Sequence, residues 1–244
     1  MESGVRILTS EDLNTVQAAK GETLGAVGVT ADGRKFVYSS FGGTATIPAG
    51  TLVVASALSA NSSGLALSST NLASQLVSGS RSLVVTNGAT AVTQDQFADG
   101  FVEVLWSGGS FAVRVNGNSA AAAGAALTLS LQDPLANSSA LVVGTDTVNL
   151  TASPYANVNS SATAANPAGV TYVSVPNTAT VSNFGWVQVA GHAVVAGSGT
   201  KGQPVVQNTT TAGNVVVASA ATQAVVGVAK ETGTTTTPVE LKLA

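Results

Sequence analysis

Hydrophobic and polar positions alternate most clearly between Phe184 and Ala229. There Trp186, Gln188 and Ala190 interleave with Val187 and Val189, the period-2 pattern of a half-buried strand. Gly191, Gly197, Gly199, Gly202 and Gly213 then break short valine runs at hairpin spacing, since glycine reaches the positive φ of tight turns. The stretch predicts three or four short strands in a small closed β-unit. Phe36 to Ser56 follows the same plan: an aromatic strand, a glycine, Ala45 and Ile47 in alternation, Gly50, then Leu52 to Val54. Near the start GAVGV (Gly25 to Val29) echoes VVGVA (Val225 to Ala229) near the end. The chain is therefore expected to be mainly β, with a β-barrel or sandwich domain formed by its two ends and a β-rich middle lobe. The expected divisions are an N-terminal arm over 1–20, a split β-domain of 21–60 with 170–244, and a middle lobe of 61–169.

Within that frame, Thr9 or Ser10 can cap a short helix, Glu11 and Asp12 suit its positive end, and Leu13, Val16 and Gln17 follow at helical spacing. One short helix or an extended arm both fit the first 20 residues. Leu24 to Val29 predicts a strand, and Ala31-Asp32-Gly33 a turn into Arg34 to Tyr38. Ser59 to Ser80 loses alternation and marks a connection, with one helical turn near Asn71 to Leu76. Ser82 to Val92 and Phe97 to Trp106 predict strands, and Ser107-Gly108-Gly109-Ser110 turns the second into Phe111 to Val115. Ala120 to Ala126 reads as a connection ahead of a strand through Leu127, Leu129 and Leu131, which breaks at Asp133-Pro134. Leu141 to Leu150 predicts a further strand. Ala152 to Gly169 reads as a polar boundary loop, and Thr171 to Val175 leads through Pro176 back to the Trp186 unit.

Composition changes the picture in two ways. Only six Phe, three Tyr and two Trp are present against 26 Gly, so the core must be built mainly from Val, Leu and Ala. Charge is scarce, with nine Lys and Arg against twelve Asp and Glu, and it is unevenly placed. Glu2, Arg6, Glu11, Asp12, Lys20, Glu22, Asp32, Arg34 and Lys35 crowd the first 35 residues, while 36–80 and 147–200 carry no charged residue. A net charge of −3 without a basic cluster argues against nucleic acid or an anionic membrane as partner. The polar first residues and the lack of a long apolar run predict a soluble protein without a secretory leader.

Candidate chemistry is thin. No cysteine is available for a disulfide, thiolate metal site or thiol nucleophile. His192 is the single histidine, and its strand-like setting suggests a surface or interface residue rather than a base. Asp95 and Asp99 flank Phe97 but no calcium loop completes them, so they read as caps of a strand entry. Gly197-Ser198-Gly199-Thr200-Lys201-Gly202 has P-loop flavour without P-loop spacing and predicts a hairpin loop. Asn-x-Ser/Thr at Asn61, Asn137, Asn149, Asn159 and Asn208 follows from composition. No catalytic residue, metal ligand or cofactor is expected, and the chain is not expected to be an enzyme.

Five phrases carry a resemblance: VGVTADGRKFVYS (Val27 to Ser39), NGATAVTQDQFADGFVEV (Asn87 to Val104), NSAAAAGAALTLSLQDPL (Asn118 to Leu135), FGWVQVAGHAVV (Phe184 to Val195) and VVGVAKE (Val225 to Glu231). In their order along the chain they resemble the capsid decoration, or head auxiliary, proteins of tailed bacteriophages. The resemblance implies a β-rich virion protein, made in the host cytoplasm, that coats the outer surface of an icosahedral head. It implies binding to the major capsid protein, self-association as a homotrimer, and stabilisation of the shell against internal pressure. A threefold cluster would bury Val- and Trp-bearing sheets that one chain cannot cover, and the N-terminal arm would fasten the protein to the shell. The rival reading is a fibre, adhesin or surface-layer module that binds a glycan or receptor through exposed Trp and Asn.

Overall fold

The computed structural model describes residues 5–43, 45–55, 63–137, 139–163, 165–176, 183–220 and 223–243. Its strands are β1 (Arg6–Ile7), β2 (Val27–Val29), β3 (Lys35–Phe41), β4 (Leu52–Val54), β5 (Leu65–Ala66), β6 (Ser82–Thr86), β7 (Phe101–Trp106), β8 (Gly109–Asn118), β9 (Ala126–Leu131), β10 (Thr147–Thr151), β11 (Pro167–Thr171), β12 (Asn183–Ala196), β13 (Pro204–Gln207), β14 (Val215–Val217), β15 (Val225–Ala229) and β16 (Thr236–Lys242). One short helix, α1 (Ser10–Asn14), and a 3₁₀ turn at Ala73–Gln75 complete the elements. The chain forms two compact units, Met1–Ala57 with Pro154–Ala244, and Leu58–Ser153. The fold is thus mainly β, with one domain made from the two ends and a β-rich lobe from the middle.

β12 organises the split domain. Its first half pairs antiparallel with β3, from Asn183↔Phe41 to Ala190↔Lys35, and its second half with β16, from Ala190↔Lys242 to Ala196↔Thr236. β16 continues through β15 and β13 to β14, and Gly197, just past β12, bridges Val215 of β14 and brings the ribbon back on itself. Gly197 is required there: at φ 117°, a Cβ would lie 2.1 Å from the Val215 carbonyl oxygen. Ala193, Val195, Val205, Val215, Val226, Val239 and Leu241 fill the interior. The unit expected over Phe184 to Ala229 is present in part: β13 to β15 are short strands, but β12 is a single strand of 14 residues and the ribbon closes only through β16, beyond that stretch.

The first half of β12 departs from expectation. Residues Gly185 to Val189 are buried on both faces rather than alternating. Trp186 packs with Leu8, Leu13, Leu24 and Tyr38, while Val187 packs with Phe41, Ile47, Val53 and Val158 on the other side. Alternation returns only beyond the bulge between Gln188 and Ala190, where His192 and Val194 point outward between buried Ala193 and Val195.

Two expected boundaries shift. From Val5 onward the N-terminal segment is no free arm: β1 lies parallel on β2, α1 follows, and Leu8 and Leu13 are buried in the Trp186 cluster. Thr9 and Asp12 form a capping box, with the Thr9 Oγ1 accepting from the Asp12 N–H (3.3 Å) and the Asp12 carboxylate from the Thr9 N–H (2.8 Å). Leu13 follows the helical spacing read from the sequence, whereas Leu8 is an apolar anchor that the surrounding charges hid. The polar stretch 154–169 also belongs to the split domain, because Val158 is fully buried and bridges Phe41, Asn159 bridges Val54, and β11 pairs with β4 and β12. The first boundary falls among residues 56–62, and the passage beyond Pro176 among 177–182, outside the described residues.

The middle lobe is a six-stranded sheet in the order β5-β10-β7-β8-β9-β6, with a bridge from Leu67 to Val85 bringing its two ends together. β7 and β8 form the expected hairpin, tightened to a two-residue turn at Ser107-Gly108, with Val102 and Val104 inward and Phe101 and Glu103 outward. β9 alternates as predicted, burying Leu127, Leu129 and Leu131. The strand expected over Ser82 to Val92 ends at Thr86, because the Asn87 side-chain amide donates to the Thr90 and Ala122 carbonyls and shapes a loop. Leu141 to Asp146 likewise forms a turn, with the Val142 N–H on the Asp146 carboxylate (2.7 Å), and only Thr147–Thr151 is strand.

Candidate binding cleft

His192 lines a hollow in the split domain. This cleft of about 390 Å³ is lined by Arg34, Tyr172, Gln188, His192, Val194 and Gly50, among others. Arg34 follows the Asp32-Gly33 turn, and its guanidinium lies 5.7 Å from the Phe36 ring centroid and 5.4 Å from that of Tyr172. Asp32 accepts from Arg34 Nε at 2.8 Å, so the cation is held between two rings and a carboxylate. Gly191, at φ 88°, leaves Arg34 room to pass, since a Cβ would meet Arg34 Cγ at 3.0 Å. The Gln188 amide donates to the Ala190 and His192 carbonyls (3.2 and 2.8 Å), bracing the bulge that forms the cleft wall.

Chemically the cleft offers a stacked planar cation, a partly exposed phenol and an exposed imidazole over apolar walls. His192 faces Glu240 in register, but its ring makes no hydrogen bond to a described residue, and Glu240 pairs instead with Lys230 (3.9 Å). A general base needs a partner that fixes its ring and a nucleophile within reach.

The second hollow, of about 280 Å³, is lined by Arg6, Glu11, Asp12, Glu22, Tyr38 and Trp186 among others. Its charges are largely engaged: Arg6 bridges Asp12 (2.6 Å) and Glu22. Hydrogen bonds from the Thr9 backbone and hydroxyl, with Arg6 adding to them, hold the Asp12 carboxyl below its ordinary range. Burial pushes the Tyr38 hydroxyl up; it accepts from the Gly21 N–H and donates to Gln17 Oε1, both at 2.9 Å. These bonds fasten the N-terminal segment to the sheet.

The remaining sequence candidates lie elsewhere in the fold. Asp95 and Asp99 both adopt left-handed φ (57° and 61°) in the turn before β7, and Asp95 accepts from the Asn118 N–H (3.2 Å). No group of three or more potential metal ligands occurs among the described residues. The P-loop-like glycines form bridges and a turn, with Lys201 paired to Glu231 at 3.0 Å. Asn137 and Asn149 bond within the middle lobe, and Asn61 lies outside the described residues. The sequence offered no signal for Gln188 or for the Arg34–Tyr172 stack, because both depend on the bulge and on β11 lying beside β12.

No family model matches the chain, and no curated protein or solved structure matches it.

Proposed function

We propose that the protein is a structural virion component, a decoration protein that binds the outer surface of a phage capsid and stabilises the shell. The observation that carries this reading is the apolar strip at the open edge of the split domain. Val5 is 61 %, Ile7 77 % and Val27 41 % exposed, and β1 begins the sheet with no described strand on its outer side. An uncovered apolar edge strand is a liability for a free monomer and an asset for a subunit that ends up against neighbours. The neighbours are the major capsid protein and other copies of the chain in a trimer. The resemblance of the five sequence phrases supports the same reading. The trimer contact must differ from the Trp-bearing sheet first expected, because Trp186 is only 7 % exposed and covered by its own N-terminal segment. The same burial removes support from a glycan-binding tip, and Trp106 is half-buried against Phe111 (5.1 Å between centroids).

Negative-stain microscopy of virions made with and without the protein tests the proposal. The expected result is regular density on the outside of the head that disappears when the protein is missing. Density confined to a tail tip, or heads that look the same in both preparations, contradicts it.

A further inference from the structure

Among the described residues, the sheet face around Ala190 carries positive charge that no carboxylate pairs. Register places Lys35 on β3 and Lys242 on β16 on either side of Ala190, and the row continues outward through Val29 on β2 to Ile7 on β1. Residues opposite one another in a sheet project to the same face, and two strand spacings put the lysine Cα atoms about 10 Å apart. Only a methyl group stands between them. Both lysines are exposed, and neither pairs with a described residue. The other charges here are engaged with one another: Glu240 with Lys230 at 3.9 Å, and Arg34 with Asp32 at 2.8 Å. His192 lies two residues along β12 from Ala190, facing Glu240. On a chain with net charge −3, two ammonium groups with no partner among the described residues stand out beside an apolar edge.

The geometry points to a docking surface for an acidic segment of a partner protein, with carboxylates over Lys35 and Lys242 and an apolar side chain on Val29 and Ile7. A nucleic acid fits less well. Two lysines displace few counterions, giving a salt slope of only about −1.4 to −1.8, and the rest of the chain repels phosphate. Because Ile7 also belongs to the edge that carries the coat-protein reading, the inference deepens that reading, and a peptide assay without heads lets either one fail without the other.

Fluorescence anisotropy with a labelled Glu/Leu peptide, and in parallel with labelled oligothymidylate, tests it on the full chain. The peptide is expected to bind the wild type and Lys201→Gln alike, and to weaken as salt rises. Lys35→Gln/Lys242→Gln is expected to bind about tenfold more weakly, with each single variant between, while its melting curve stays unchanged because both side chains are solvated. Equal peptide affinity for wild type and double variant, no peptide binding by wild type, or oligothymidylate bound as tightly as the peptide overturns the inference.

Discussion

In the split domain the central pairing sets Trp186 opposite Tyr38, residues from opposite ends of the chain, whereas in the middle lobe β7 turns through two residues into β8. Their cores differ accordingly. The lobe has one core of Leu and Val with Phe97 as its only fully buried aromatic, while the split domain has three clusters, two of them built around Phe36, Tyr38, Phe41 and Trp186. Tyr38 meets Trp186 edge-on at 5.3 Å and stacks with Phe184 at 6.3 Å. A local hairpin fixes its register through its turn and its alternating pattern. A pairing between chain ends has no turn to set it, and large interlocking rings supply the specificity instead. The split domain should therefore depend on a few large side chains, and the lobe on many aliphatic ones of similar weight.

Trp186→Ala should have the largest effect, about 3 to 5 kcal/mol, because the ring is enclosed by Leu8, Leu13 and Tyr38. Hydrogen exchange should show lost protection in β3 and β12 with β7 to β9 spared; equal loss in both units would erase the contrast. Leu129→Ala, a fully buried position in β9, should cost about 2 to 5 kcal/mol and reverse that exchange pattern. A smaller effect is expected from Asp12→Asn, about 1 kcal/mol through the weakened cap and Arg6 pair, seen as faster exchange in residues 5–20. Because the folded Asp12 value lies below the unfolded one, its contribution is complete above about pH 4 and fades as pH falls through the lowered value. Acid should thus loosen the N-terminal segment in the wild type and change it less in Asp12→Asn. His192→Ala should shift stability by no more than about 0.5 kcal/mol, since the ring is exposed and unpartnered among the described residues. A large shift in its melting curve would give that side chain a role the cleft geometry does not.

What the sequence made legible follows the same division. Val102 and Val104, and Leu127, Leu129 and Leu131, sit on strands with one buried face, so these strands were legible as strands in the sequence. At Trp186 to Val189 alternation failed because distant segments cover both faces. Val158 belongs to the core, but a single valine in a polar run leaves no periodic trace, and Leu8 was masked by the charges around it, whereas Leu13 showed through helical spacing. The cleft was legible only through His192. Arg34, Tyr172 and Gln188 meet there through strand pairings, and the Lys35–Ala190–Lys242 row exists only once register is known.

The proposal that an exposed apolar edge binds this chain to a shell is tested most directly by co-sedimentation with heads that lack the protein. Wild type should pellet with the heads to a fixed saturating ratio. Ile7→Glu should keep the wild-type melting curve, because residue 7 is already 77 % exposed, yet remain in the supernatant. Wild type that fails to pellet with intact heads, or Ile7→Glu that pellets as well as wild type, would contradict the account.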